Sequence, residues 1–324
     1  MEKTDMLLIV NPKSGVDRDK ERAVDIVTTL CEERGLTVNV EFTTREGDAQ
    51  EIAIGGVNNK VKTVIAAGGD GTVREVANGL WGSKIPMGII PMGSGNGLAR
   101  SLCIPQEIKA AVEVALSGQR EAIDRGVAGA ASFYSAFGIG FDAEVSYRFS
   151  LDKRRGKTTY LKHAIRQLFS YRPSRFRLVS ENLDIETEAL LVAVCNCKQY
   201  GNNAYISPDA NPADGFLDVT VIHEGNFLSK AMAGIELFSG TLNSNVLVEM
   251  FRVRFLQIEK EGALESIVHL DGEPAEMKLP VDIRCEERGL EVIVPWDNNI
   301  FRPYFTPLKS IWDDLLMDIR KNIL

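Results

Sequence analysis

Apolar positions fall into two rhythms along the chain. Up to about residue 130, short apolar runs alternate with stripes at helical spacing. Leu7 to Val10 is a strand-length run; Ala23, Ile26, Val27, Leu30 and Cys31 then recur every three or four residues, and Gly35 stands where a helix C-terminal cap belongs. Val38 to Phe42 predicts a strand, and Ala49, Ile52, Ala53 and Val57 a second helix. Val61 to Ala67 and Ile85 to Pro91 predict further strands, and Pro105 to Leu116 a helix opened by proline and closed near Gly118. This alternation predicts a doubly wound parallel sheet with helices on its faces and ligands at the carboxyl ends of its strands.

From about residue 131 short β-type runs dominate: Phe133 to Ile139, Phe176 to Ser180, Ala189 to Asn196, Leu217 to Ile222, Val253 to Ile258, Ser266 to Leu270, Val281 to Cys285 and Leu290 to Val294. Turn residues separate them, which predicts an antiparallel sandwich or barrel. Helical interruptions are expected at 152–170 and 227–240. Ile311, Leu315, Leu316 and Ile319 share one helical face near the end of the chain. The organisation expected is α/β: a doubly wound domain over 1–130, a β-sandwich domain over 131–305, and a helix over 306–324 that packs back on the first domain.

With 324 residues, 44% of them hydrophobic, the chain has ample material for two cores. A net charge of -8 argues against a nucleic-acid partner. The run Met6 to Val10 is too short for a signal-peptide core and has no basic flank, and later apolar runs are strand-sized, so a cytoplasmic protein is expected. The five cysteines are scattered and the three histidines form no ligand cluster, which speaks against zinc or disulfides.

Ala67-Gly68-Gly69-Asp70-Gly71-Thr72 follows a predicted strand and opens a helix. A glycine-rich turn there lets backbone amides approach phosphate oxygens. Asp70 would repel phosphate unless it works through Mg²⁺, and a plain turn with an Asx cap explains the segment equally well by itself. Pro91-Met92-Gly93-Ser94-Gly95-Asn96-Gly97 ends another strand. Met92 stands where a nucleophile elbow needs glycine, and no Walker A sequence occurs, so Ser94 is no hydrolase nucleophile and any kinase chemistry uses another loop. Gly71 and Gly95 are expected to admit backbone close to phosphate or to take positive φ, where a methyl group would interfere. Gly138-Ile139-Gly140-Phe141-Asp142-Ala143 fits a dinucleotide fingerprint but lies at the change of rhythm, where a domain-crossing turn is the better reading. Asp209, Asp214 and Asp218 crowd one segment, and Asp271-Gly272-Glu273 follows a predicted strand. Hydroxyl phosphorylation needs a base and Mg²⁺, and carboxylates serve both.

Taken together, these motifs resemble the diacylglycerol kinase catalytic family, which includes bacterial lipid kinases and sphingosine and ceramide kinases. The resemblance runs nearly end to end, from Asn11-Pro12-Lys13-Ser14-Gly15 through Gly47-Asp48-Ala49, Gly68 to Thr72 with Glu75, Gly93 to Asn96, Ile123-Asp124, Gly138 to Asp142 and Asp214-Gly215 to Asp271-Gly272-Glu273. It implies an ATP- and Mg²⁺-dependent lipid kinase, with a nucleotide-binding α/β domain and a β-sandwich carrying the lipid cleft. Asn11, Thr43, Gly68, Gly69, Asp70, Gly71, Thr72, Glu75, Gly93, Ser94 and Asn96 would form the nucleotide side. Asp271 or Glu273 would be the general base, with Asp271 preferred. A structural Mg²⁺ would sit on Asp214 and the carbonyls of Asn211 and Phe216, with Asp70 and Asp124 joined to it through water.

Two departures leave the lipid open. Gly97 replaces an Asp that follows the Asn in many bacterial members, as in sphingosine kinases, and Gly201-Asn202-Asn203 replaces a run of glycines. A diacylglycerol-type substrate is expected; a sphingoid base or ceramide, a soluble NAD kinase-type substrate, and a non-catalytic nucleotide- or lipid-binding regulator are the alternatives. Between Val145 and Leu178 ten Lys or Arg stand with one acid, Asp152, among aromatic and aliphatic residues. That composition suits a peripheral anionic membrane surface as well as a solvated basic face.

Overall fold

The computed structural model describes residues 4–15, 17–151 and 171–296. Its first half runs β1 (Met6–Val10), α1 (Asp17–Glu33), β2 (Val38–Phe42), α2 (Asp48–Asn58), β3 (Thr63–Gly68), α3 (Asp70–Leu80), β4 (Met87–Pro91), α4 (Gly97–Ser101) and α5 (Ile108–Ser117). The strands are parallel in the order β2-β1-β3-β4. Every residue of β1 and β4 is buried, because both faces are covered. Leu8, Val10, Ile65 and Ala67 pack with Ala23, Val27 and Cys31 of α1 and Val112 and Ala115 of α5. Leu7, Ile9, Val64 and Ala66 face Ala53 of α2 and Val73, Val76 and Leu80 of α3. The glycine after α1 closes a Schellman turn: Gly35 has φ 66°, its N–H donates to Glu32 O, and Leu36 N–H donates to Cys31 O at 2.9 Å.

The second half contains β5 (Gln119–Ala128), β6 (Ala131–Phe133), β7 (Ala136–Gly140), α6 (Phe141–Leu151), β8 (Ser174–Ser180), β9 (Leu183–Cys195), β10 (Leu217–His223), α7 (Phe227–Ser239), β11 (Val248–Val253), β12 (Phe255–Lys260), β13 (Glu265–Leu270), β14 (Glu273–Lys278) and β15 (Val281–Val294). Its strands pair antiparallel around a core that includes Phe133, Phe137, Phe176, Val192, Val219, Leu256 and Ile283. One strand joins the halves. β15 pairs with β12 near its start, with β5 along its length, and parallel with β4 through Val292 opposite Met87.

Several expected boundaries move. Phe133 to Ile139 divides into β6 and β7, and Val253 to Ile258 into the ends of β11 and β12. The runs Val281 to Cys285 and Leu290 to Val294 are one strand, interrupted by a bulge between Glu286 and Leu290 with Arg288 at φ 49°. β5 and β14, unpredicted, are strands with many exposed or half-buried charges. The expected helix at 227–240 is α7. The expectations for 152–170 and 306–324 lie outside the described residues.

Candidate active site

The reversal of strand order between β1 and β3 opens a crevice above the sheet, and three loops gather there. In the first, Asn11 N–H donates to Ala67 O and Asn11 Nδ2 donates to Thr72 Oγ1 at 2.8 Å, tying β1 to the start of α3. In the second, Gly68 has no room for a side chain: a Cβ would stand 2.5 Å from Thr72 Cβ. In the third, Asn96 adopts a left-handed conformation, accepts from Gly93 N–H at 2.9 Å and donates to Gly93 O, while Ser94 stands exposed at the tip. A Cβ on Gly93 would meet Gly69 Cα at 2.7 Å, so the second and third loops touch through glycines.

Asp70 pins these loops together. Its Oδ2 accepts from Asn96 N–H at 2.8 Å and its Oδ1 from Gly97 N–H at 2.7 Å. Burial pushes its carboxyl up to about 6, Asp271 adds to the shift, and the two N–H donors oppose it. Thr43 is buried at the end of β2, its N–H donating to Val10 O. Glu75 accepts from Gly47 N–H at 2.9 Å and Ala49 N–H at 3.1 Å, so its carboxylate braces the Thr43 to Ala49 segment at the start of α2.

Across the crevice, Asp271 and Gly272 form the two-residue loop between β13 and β14, both with positive φ (53° and 84°), as a type I′ hairpin requires. This conformation turns the Asp271 carboxylate inward. Oδ1 accepts from the N–H groups of Tyr134 (3.2 Å), Ser135 (2.7 Å) and Ala136 (3.1 Å), and among the described residues Oδ2 accepts from Tyr134 N–H alone, at 3.0 Å. Burial raises its pKa, opposed by Arg74 and these amides. Glu273, half-exposed at the start of β14, pairs with Arg74, whose Nη1 also donates to Leu270 O at 2.9 Å. The narrow crevice between the halves is lined by Asp70, Val73, Arg74, Leu98, Tyr134, Ser135 and Asp271. A larger cavity of about 230 Å³, lined by Met6, Thr63, Leu116 and Ile293 among others, opens at the opposite ends of the strands, away from these carboxylates.

Asp124 belongs to a second acidic group. It is fully buried, accepting from Gly215 N–H at 2.8 Å and Arg288 N–H at 2.7 Å, and burial raises its pKa. Asp214 Oδ1 accepts from Phe216 N–H at 3.1 Å and Oδ2 lies 3.3 Å from Arg252 Nη1, which serves Asp218 as well through Nε. Asn211 accepts from Ala213 N–H at 3.1 Å. Asn196 bridges the two acidic groups, donating from Nδ2 to Asp124 O and Tyr134 O.

For Mg²⁺ the first group is suited by charge and chemistry. Among the described residues, Asp70, Asp271 and Glu273 have one close counter-charge, Arg74, and the buried Ser135 Oγ beside them has no hydrogen-bond partner. All donors are oxygen, and Mg²⁺ normally completes its shell with substrate phosphates rather than a protein cage. Consistent with that, no cluster of three or more acidic, His or Cys side chains among the described residues forms a ready-made metal cage. At Asp214 the Arg252 guanidinium already balances the carboxylate.

Residues 5–128 match the model of the diacylglycerol kinase catalytic domain, and residues 135–294 that of the YegS C-terminal NAD kinase beta sandwich-like domain. A protein of Klebsiella pneumoniae (strain 342) named "Probable lipid kinase YegS-like" is 30% identical over 290 residues, which cover 86% of this chain and 94% of that protein. The chain belongs to the YegS-like lipid kinase family. A Salmonella arizonae protein named "Probable lipid kinase YegS" is 29% identical over 87% of this chain and 95% of its own length. The fold is shared with a crystal structure described as a diacylglycerol kinase from Bacillus anthracis str. Sterne (TM-score 0.68, 22% identity, covering 93% of this chain and 100% of that one).

Against this family frame, the glycine expectations change their physical basis. Neither Gly71 nor Gly95 has positive φ; each instead faces a carboxylate. A Cβ on Gly71 would stand 2.1 Å from Glu273 Oε1, and one on Gly95 2.9 Å from Asp70 Oδ2. Gly71→Ala is therefore expected to lower kcat about tenfold while ATP affinity stays within about threefold, since the methyl group pushes aside the carboxyl end of Glu273. Steady-state kinetics with calorimetric ATP binding checks this; a raised KM for ATP at unchanged kcat would return Gly71 to the phosphate site. Gly97 also has a local reason: a Cβ there would meet Tyr200 O at 2.9 Å. Sequence reasoning missed Arg74, Tyr200, Asn196 and His269. Arg74, the sole basic residue of α3 and two positions past Thr72, carried the one available signal.

Proposed function

We propose that the chain is an ATP- and Mg²⁺-dependent kinase that transfers the γ-phosphoryl group of ATP to the hydroxyl of a diacylglycerol-type lipid. The observation that carries this reading is the meeting, at one crevice, of glycine-rich loops from the parallel sheet and a buried carboxylate from the sandwich. Asn11, Thr43, Gly68 to Thr72, Gly93, Ser94 and Asn96 line the nucleotide side, with Glu75 bracing it from behind. Asp271 is the general base. Its Oδ1 is held by three amides, and Oδ2, with one, has a lone pair for the lipid O–H. The hydroxyl proton passes to Oδ2 as the oxygen bonds to the γ-phosphorus and the bond to the bridging oxygen breaks, releasing ADP. Bound Mg²⁺, held by Asp70 and the phosphates, would neutralise charge on the transferring group. Arg74 keeps Glu273 at the mouth of the crevice. A structural Mg²⁺ on Asp214, Asn211 and Phe216, near Asp124, would share the Asp214 carboxylate with Arg252, and no step depends on it.

A peripheral membrane surface is part of this reading, since the substrate is a lipid. Three of the four described arginines of the basic stretch support it little: Arg148 pairs with Glu144, Arg175 with Glu261, and Arg177 with Asp184 and Glu259. No described helix is long and apolar enough to cross a membrane. Labelled ATP offered with mixed micelles of diacylglycerol, sphingoid base or ceramide, and with NAD, tests the function. Label is expected on diacylglycerol. Label on a sphingoid base or ceramide moves the substrate to that class, whereas label on NAD alone, or on nothing, overturns the lipid kinase reading.

A further inference from the structure

The glycine motif that imitates a dinucleotide fingerprint has another purpose. A Cβ on Gly138 would stand 2.1 Å from Asp142 Oδ2 and 2.3 Å from His269 Nε2. Its absence lets those two side chains meet at 3.1 Å, buried to within 6% and 3% of full enclosure. Gly140, at φ 110°, then turns the chain from β7 into α6 where a Cβ would strike Leu190 O at 2.5 Å. This delivers Asp142 to the first turn of α6. The carboxylate is fully used: Oδ1 accepts from Ala143 N–H at 2.8 Å, and Oδ2 accepts from Tyr200 O–H at 2.6 Å as well as from His269.

His269 lies on β13 two residues before Asp271. Its Nδ1 is the acceptor for Gly272 N–H at 3.4 Å, so the ring proton sits on Nε2 and is given to Asp142. The Tyr200 ring meets the His269 ring edge-on at 5.2 Å. On the other side, Tyr200 O rests against Gly97, and the neighbouring Gly201 packs on Gly95 with space only for hydrogen. Ser146 of α6 donates its hydroxyl to Gly272 O. The same few buried groups thus touch both the Gly93 to Gly97 loop, which Asp70 pins, and the hairpin that carries Asp271.

We propose that Tyr200, Asp142 and His269 form a positioning unit that keeps the Asp271 hairpin in register with the Gly93 to Gly97 loop. None of the three touches the reacting atoms. Asp142 fixes the tautomer and orientation of His269, His269 holds the Gly272 amide, and Tyr200 links both to the nucleotide side. A base misplaced by about an ångström can cost on the order of a hundredfold in rate, so the unit acts on turnover rather than on ATP binding. The inference rests on the kinase reading for its kinetic consequence and on geometry alone for its structural one.

The test uses the full-length protein and three variants: His269→Leu, His269→Gln and Tyr200→Phe. Hydrogen exchange at residues 269–273 is read without substrate, beside melting temperature, kcat and KM for ATP. His269→Leu is expected to speed exchange at Gly272 about tenfold or more while distant strands keep their protection. Its kcat should fall about a hundredfold with KM for ATP within about twofold. His269→Gln, which keeps a donor and an acceptor, should recover much of both, and Tyr200→Phe should lie between. Unchanged exchange at Gly272 in both His269→Leu and Tyr200→Phe overturns the unit. So does a kcat loss in His269→Gln equal to that in His269→Leu, or a rise in KM for ATP that accounts for the whole defect. Should the wild type phosphorylate no lipid, the kinase reading fails, and exchange at Gly272 still decides the positioning role.

Discussion

Asp271→Asn is expected to lower kcat by about a thousandfold, within the range a positioned general base contributes. The substitution is well suited to isolating chemistry from folding. Asparagine adopts the left-handed conformation that position 271 requires (φ 53°), so the hairpin between β13 and β14 survives. Its Oδ1 can take the N–H groups of Tyr134, Ser135 and Ala136 as the carboxylate oxygen does. What it loses is acceptance at Oδ2: the NH₂ group there cannot take the lipid proton, and Tyr134 N–H must rely on Oδ1 alone. ATP binding, measured calorimetrically, should change less than about threefold. Glu273→Gln should cost less, about tenfold, because Glu273 is half-exposed and bound to Arg74. If Glu273→Gln proves the more damaging and Asp271→Asn retains wild-type turnover, the base is Glu273.

Asp70→Asn is expected to abolish most activity while making the protein without ligands more stable. The carboxyl of Asp70 is pushed up to about 6 because burial and the nearby Asp271 penalise its charge. A folded-state pKa above the unfolded one means that the native state holds the proton more tightly. The stability this contributes is complete below the unfolded pKa and is lost as pH rises through about 6. Above that pH the wild type carries an anion whose burial outweighs its two amide hydrogen bonds, whereas the variant carries no charge and gives up one of those bonds where its NH₂ group meets an amide, which limits the gain. The variant should therefore melt a few degrees higher than the wild type at about pH 7.5, and the gap should close at about pH 4.5. Its kcat should fall about a hundredfold or more, because the charge that Mg²⁺ and the phosphates would meet is gone. In the wild type kcat/KM should decline below about pH 6 as Asp70 protonates. Melting curves at both pH values decide the matter, and a variant less stable than wild type at the higher pH would show that Asp70 is a plain loop anchor.

The parallel half is largely legible in the sequence because β1, β3 and β4 are buried on both faces and read as apolar runs, while the edge strand β2 shows as the alternation Val38-Asn39-Val40-Glu41-Phe42, with caps and glycines between them. β2 falls exactly where Val38 to Phe42 predicts, and α3 begins at Asp70, inside the glycine motif rather than after it. β5 escapes notice because Arg120, Glu121, Asp124 and Arg125 break its apolar pattern; pairing with β15 makes it a strand. β14 is an edge strand with exposed charges, and periodicity has little to report there. β15 reads as two strands because Glu286 to Gly289 resembles a turn, whereas the structure uses it as a bulge that sends Arg288 N–H to Asp124.

The sequence by itself determined the chemical inventory: glycine loops at strand ends, acidic residues beside glycine in turns, and the carboxylates a phosphoryl transfer requires. Those are local properties, set by backbone sterics and by the period of apolar residues. Only the tertiary structure decided which carboxylates meet. Asp70 and Asp271 line one crevice with Glu273 held beside it by Arg74, while Asp124 stands apart with Asp214, whose carboxylate Arg252 balances. It also decided that Gly71 faces Glu273, and that Gly138 exists for the Asp142–His269 contact rather than for a dinucleotide. Such encounters depend on strand order and on buried hydrogen bonds between residues far apart in the chain. No periodicity records them, because each partner's local pattern is equally compatible with other registers until the sheet closes.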